Sequence, residues 1–225
     1  MNFLPSWLRV GLVFWVSALG FSACPGDPHF DRSSVIHLIN TPIQPSYFHD
    51  HSTAQIEAMR HAKYHSRMMH SPGITLAEHE LNTQYQIGGL RHGRSGGCCI
   101  WVDSLKVDFS YHKMDVYVSS QYPEGGCPYR VILAHENQHV AINQAALGKY
   151  LEMMRQALAV DRTIPTKANP LAVSSMGQGK AIVSARVNRL IYPIYDRFKK
   201  AVMIENGKID TLENYKRTQA QCDKW

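Results

Sequence analysis

Residues 129–160 contain no proline and a single glycine, and Val140, Leu147, Leu151, Met154 and Leu158 recur there at helical spacing. Such a stretch buries its apolar stripe as a long helix laid against another layer, and the rest of the chain must supply that layer. From Cys98 the texture turns to alternation, CCIWVDSLKVDF and then MDVYVSS, which reads as antiparallel strands turned at 110–113. The loop YPEGGCP leads from the strands into the helix. Beyond the helix, 163–179 is a Pro/Gly/Ser-rich connection. Residues 181–204 form a second helical stretch, kinked near Pro193, and 211–224 suit a short closing helix. Upstream, 52–69 read as helix, with Ser52 as N-cap, Gln55 three residues on, and Pro72-Gly73 as the stop. Residues 24–51 are Pro-rich and polar, an extended lead-in with at most a short strand at 35–39. Residues 74–97 are polar, alternate in places and end in GRSGG. No repeat or composition shift divides 52–225. The expectation is one α+β domain, a small antiparallel sheet packed on a long helix with C-terminal helices.

The N-terminus has another character. Arg9 precedes an apolar run over 10–19, too short for the about 20 residues that a membrane-spanning helix needs. The small residues Ala18, Gly20 and Ser22 fall at its end, so 1–23 have the layout of an export signal, placing the protein in the periplasm or cell envelope. Phe21-Ser22-Ala23-Cys24 resembles a bacterial lipobox, with Phe21 where Leu is usual. Ordinary cleavage and membrane attachment through a lipidated Cys24 both stand open. No second long apolar run exists, which excludes a polytopic membrane protein. The formal net charge of +6 is spread along the chain without a Lys/Arg run, so no nucleic-acid partner is expected. Cysteine usage fits an oxidising compartment. With Cys24 lipidated or removed, Cys98 and Cys99 point to opposite faces of a strand and are expected to bridge to Cys127 and Cys222, in either order.

Within the long helix stands His135-Glu136-Asn137-Gln138-His139, an HExxH. One helical turn brings His135 and His139 onto one face, about 6 Å apart along the axis, where both imidazoles reach a single ion. Glu136 projects beside them, within reach of a water on that ion. Zinc so held lowers the pKa of the water, and the carboxylate removes and relays its proton. HExxH is the metal motif of the zincin metallopeptidases. Export, a cysteine-bearing β hairpin, HENQHV and a long helix together resemble the predicted secreted zinc-dependent proteases of bacteria, over about residues 98–160. The resemblance implies a zincin-like fold, a zinc cofactor, a peptide or envelope-protein substrate and Glu136 as catalytic base. It also implies an edge strand above the metal helix that pairs with substrate backbone.

The third ligand is open. The residues after His139 exclude HExxHxxGxxH, and Glu152 lies too far along the same helix. Asp196, Glu205, Asp210 and Glu213 remain, Asp196 on the returning helix and Glu213 where a Cys222 bridge could fold the chain over the site. His61 and His65 also stand one turn apart, with His49 and His51 before them, but lack an intervening carboxylate and read as a solvated face. His79, Glu80 and His112 read as surface or loop residues. Tyr117, Tyr122 and Tyr129 flank the motif and read mainly as packing. The reading against catalysis is an envelope protein or lipoprotein whose zincin-like scaffold binds a partner or metal. A third protein ligand with an open fourth position discriminates the two.

Overall fold

The computed structural model describes residues 24–27, 29, 35–64, 72–92 and 97–225. The expected export signal, His65 and residues 93–96 of the GRSGG turn lie outside them. In chain order the elements are β1 (Ile36–Ile39), β2 (Ser46–Phe48), α1 (Thr53–Tyr64), β3 (Gly73–His92), β4 (Gly97–Val118), α2 (Cys127–Val160), β5 (Leu171–Val173), α3 (Met176–Ile209) and α4 (Leu212–Gln219). The class is α+β.

β4, 22 residues long, is the strand on which every other strand is built. β3 pairs with it antiparallel along its whole length. On the opposite edge β5, β1 and β2 follow one another, β5 antiparallel and β1 and β2 parallel to β4. The sheet is therefore mixed, which corrects the antiparallel sheet expected from sequence. Alternation fixes the face a side chain takes, not the direction of the neighbouring strand. The lead-in supplies both parallel strands, and the chain from β2 through α1 and β3 makes the long connection that parallel pairing requires.

The turn expected at 110–113 does not form; β4 runs straight through it. Those residues include neither Gly nor Pro, the usual turn formers. The register with β3 shifts at Glu78/His79 and at Gln86/Ile87, leaving His112 and Asp103 as extra residues in β4. Each insertion reverses the alternation. Ile100 and Val102 are buried, then Leu105, Val107, Phe109 and Tyr111, then Met114, Val116 and Val118. Two β-bulges thus hold one apolar face along a long strand, and the change of phase was what resembled a turn.

α2 and α3 lie on that face. Val140, Leu147, Leu151, Met154 and Leu158 of α2 and Val183, Val187, Ile191, Ile194 and Phe198 of α3 share one core with β4. Gly179 permits the approach of α3, since a Cβ there would meet Ile100 Cδ1 at 2.6 Å. α3 continues through Pro193 to Ile209. α1 covers β3 with a smaller cluster, Ile56 against Ile74 and Leu76, residues that alternate with Thr75 and so face away from α2. The sequence signals at its start hold: the Ser52 amide donates to Gln55 Oε1 at 2.8 Å and the Gln55 amide to Ser52 Oγ at 3.3 Å, a reciprocal capping box.

Two disulfides join Cys24 to Cys99 and Cys127 to Cys222, and Cys98 is a buried free thiol. Bridges from both Cys98 and Cys99 to the later cysteines were expected. The two cysteines do take opposite faces of β4, but Cys98 points into the core while Cys99 takes Cys24. A sulfur held in that bridge cannot also carry a lipid thioether, so the bridge and lipidation of Cys24 exclude each other. Among the described residues no helix is long and apolar enough to cross a membrane.

Candidate metal centre

α2 starts where Gly126 leaves extended backbone and Pro128 occupies the first turn, where its missing N–H costs nothing. About two turns further in, His135, Glu136 and His139 are all buried. Burying three such polar side chains on one helix requires partners, and each has at least one outside α2, although His135 Nδ1 is buried without a hydrogen-bond partner.

The third group is Asp210, at the corner between two helices. Asp210 caps the C-terminus of α3, and Thr211 caps α4, accepting from the Asn214 amide at 3.1 Å. Asn214 Nδ2 donates to the Ile209 carbonyl at 2.6 Å, closing the corner. Asp210 Oδ1 lies 3.2 Å from His135 Nε2 and 3.2 Å from His139 Nε2, and the two nitrogens are 3.3 Å apart. These side chains are the one cluster of three or more potential metal ligands among the described residues.

The triangle is a test of fit. Ligands at the vertices of a tetrahedron are separated by about 1.63 times the centre-to-vertex distance, so edges of this length correspond to about 2.0 Å, the range of zinc–nitrogen and zinc–carboxylate bonds. Its protonation points the same way. His139 Nδ1–H donates to Asn206 Oδ1 at 2.6 Å, and Asn206 Nδ2 donates to the Val202 carbonyl at 2.8 Å, which fixes the orientation of the amide. When the ring is neutral, this tautomer turns the Nε2 lone pair toward the other two donors. Two imidazole nitrogens and a carboxylate oxygen converge closely enough to hold a cation between them. The residues fit a divalent ion of zinc type, with one tetrahedral position left over.

Electrostatics follow from burial and this convergence. Burial raises Glu136 above its ordinary value, against the charges of the two histidines and the Thr75 hydrogen bond. Burial alone would lower His139; the bond to Asp210 and the charges of Glu136 and Asp210 outweigh it and raise it. Burial opposes ionisation of Asp210, yet bonds to His135 and His139 hold it far below its ordinary value. Tyr215 OH donates to Asp210 Oδ1 at 2.8 Å, and burial with the Asp210 charge pushes the phenol up to about 12, so it stays a donor. Thr75 of β3 donates to Glu136 Oε2 at 2.8 Å. Gly73 lets β3 come this close, since a Cβ there would stand 2.7 Å from Glu136 Oε1. A cleft of about 410 Å³ opens beside these groups.

The other sequence-named residues stand elsewhere. Asp196 pairs with Lys199 at 2.8 Å and Glu205 with Lys208 at 2.6 Å. Glu213 is exposed in the first turn of α4, and Glu152 pairs with Arg155. His79 is not a plain surface residue: it lines the cleft, with Nδ1 2.8 Å from Tyr195 OH. His112 lies 3.4 Å from Glu78, and His49 Nε2–H donates to the carbonyls of Ser119 and Tyr122. His61 and Glu80 are exposed. Tyr117 stacks on Phe48, Tyr129 meets the His49 ring edge-on, and Tyr122 packs against Trp225. Sequence reasoning missed Asn206, Tyr215 and Thr75. Asn206 and Asp210 repeat the four-residue spacing of the histidines, a signal available in the sequence; Thr75 and Tyr215 had none.

No family model matches the chain, and no curated protein and no solved structure matches it.

Proposed function

We propose that the chain is an exported, zinc-dependent peptidase with a zincin-like arrangement, acting on peptides or envelope proteins. The observation that carries this reading is the convergence of His135, His139 and Asp210 on one point, with the buried carboxylate of Glu136 beside it. His135, His139 and Asp210 hold the metal, which when bound supplies Lewis acidity to a substrate carbonyl and to water. Glu136 accepts the proton of the attacking water and returns it to the departing amine. Burial favours this, because a carboxylate raised toward neutrality is a stronger base. Thr75 fixes the carboxylate, Asn206 fixes the His139 tautomer, and Tyr215 steadies Asp210. The third protein ligand and the open position favour catalysis over a purely binding role. The two disulfides support export to an oxidising compartment.

Glu136→Gln tests the reading. The variant keeps the shape of the side chain but cannot take the proton, so zinc content should match the native protein while peptide hydrolysis falls by about 10² or more. Equal turnover in both proteins would remove Glu136 from the chemistry.

A further inference from the structure

The cleft beside the metal donors is lined on one wall by Arg60 and Lys63 of α1 and on another by Lys199 of α3. Its carboxylates are Glu136 and Asp210. With a divalent ion on the three donors, those two charges and the ion cancel. Lys199 is balanced by Asp196 at 2.8 Å, and Lys63 donates to the Ala77 carbonyl at 3.1 Å near the charge of Glu78. Arg60 is different. Its Nη2 donates to the Gly73 carbonyl at 2.9 Å and its charge acts on the Tyr215 hydroxyl, yet no carboxylate among the described residues pairs with it. Its Nε is buried without any hydrogen-bond partner.

A half-buried guanidinium held by neutral groups, with one N–H unmatched, is costly unless something else supplies the counter-charge. We propose that the substrate supplies it: the cleft takes a peptide carrying a carboxylate next to the scissile bond, and Arg60 receives that carboxylate. The Gly73 bond holds the guanidinium in place, which suits it to a planar, forked anion. A carboxylate reaches the cleft from an Asp or Glu side chain or from the C-terminus of the peptide. The proposal rests on the peptidase reading for its consequence, though not for the existence of the anion site.

The zinc-loaded chain is assayed on fluorogenic peptides differing only as Glu or Gln at each position around the cleaved bond, all C-terminally amidated. A second set lacks acidic residues and differs as free acid or amide. The expected kcat/KM favours the carboxylate member of one set by about tenfold or more. That ratio should fall toward unity in Arg60→Met and to an intermediate value in Arg60→Lys, with zinc content as the check on folding. Discrimination in the first set assigns the side chain, in the second the chain end. A ratio near unity in the native protein, or one untouched in folded Arg60 variants, overturns the proposal. If no peptide is cleaved, NMR titration with N-acetyl-glutamate amide against N-acetyl-glutamine amide separates the two ideas. Selective glutamate binding that Arg60→Met or Arg60→Lys weakens upholds the anion site while the peptidase reading fails. Absence of that selectivity overturns the site as well.

Discussion

Asp210 lies 75 residues beyond His135 in the chain and 3.2 Å from its Nε2 in space. Nothing local to the HExxH demands this. The link is made by α3 running back along α2 and by the capped corner in which Asp210 sits. Asp210→Asn keeps the size and the Tyr215 hydrogen bond but removes the charged donor. The variant should fold and bind zinc more weakly by about 10² or more, since even residues behind a ligand carry up to that much. Competition with a chelating dye measures it, and an unchanged affinity would take Asp210 out of the ligand set.

The contrast between Asp210 and Asp196 marks how much was legible. HExxH could be read because its geometry is internal to one helix: four residues of spacing put both imidazoles on one face wherever that helix goes. The long helices, the capping box at Ser52 and the apolar stripes were legible for the same reason, as local periodicity. Choosing among Asp196, Glu205, Asp210 and Glu213 needed the angle and length of α3, which packing against β4 sets. The sheet failed similarly. Two bulges, at Asp103 and His112, changed the phase of alternation, and in one sequence an inserted residue and a turn give the same signal. The partner of Cys99 was missed because the count of bridging cysteines took Cys24 as lipidated or removed.

The pH dependence of metal binding follows from His139. Without metal its pKa lies above the ordinary 6.5, as the Asp210 bond and the neighbouring carboxylates outweigh burial. Its contribution to apo stability is full below the unfolded value and is lost as pH rises through the raised folded value. Asp210, held low, contributes above its unfolded value and loses that only as pH falls toward its depressed one. Zinc needs His139 neutral, so it displaces a proton. The rise in Tm on adding zinc should therefore grow as pH rises from the ordinary 6.5 through the raised His139 value. A zinc increment that stays flat over that range would show that His139 does not titrate against the metal.

Gly73 should be intolerant of even one methyl group. A Cβ there would sit 2.7 Å from both Glu136 Oε1 and Ile132 Cγ2. Both side chains are buried at the contact of α2 with β3 and must shift to admit it. Gly73→Ala should destabilise the fold by about 1–3 kcal/mol, as overpacking does. It should also cost more hydrolytic activity than zinc affinity, because the methyl displaces the base rather than the ligands. Denaturant unfolding with parallel zinc titration checks both, and equal losses would mean that the strain spreads to the histidines.

The Cys127–Cys222 bridge should act on the metal site as well as on stability. Cys127 opens the helix that bears both histidines, and Cys222 follows the helix that bears Tyr215, the hydrogen-bond partner of Asp210. For a sequence separation of 95, the chain-entropy model gives about 4–5 kcal/mol, with less expected in practice. The double variant Cys127→Ser, Cys222→Ser should lower Tm and weaken zinc binding, because α4 is released from α2. Cys24→Ser with Cys99→Ser serves as the contrast. That bridge ties the chain near residue 24 to the start of β4, so its loss should lower Tm while leaving zinc affinity near the native value. Peptide mapping of the oxidised native protein should recover Cys98 as the one free thiol of residues 24–225. Equal loss of zinc affinity in both double variants would trace the effect to general loosening of the fold and not to the corner at Asp210.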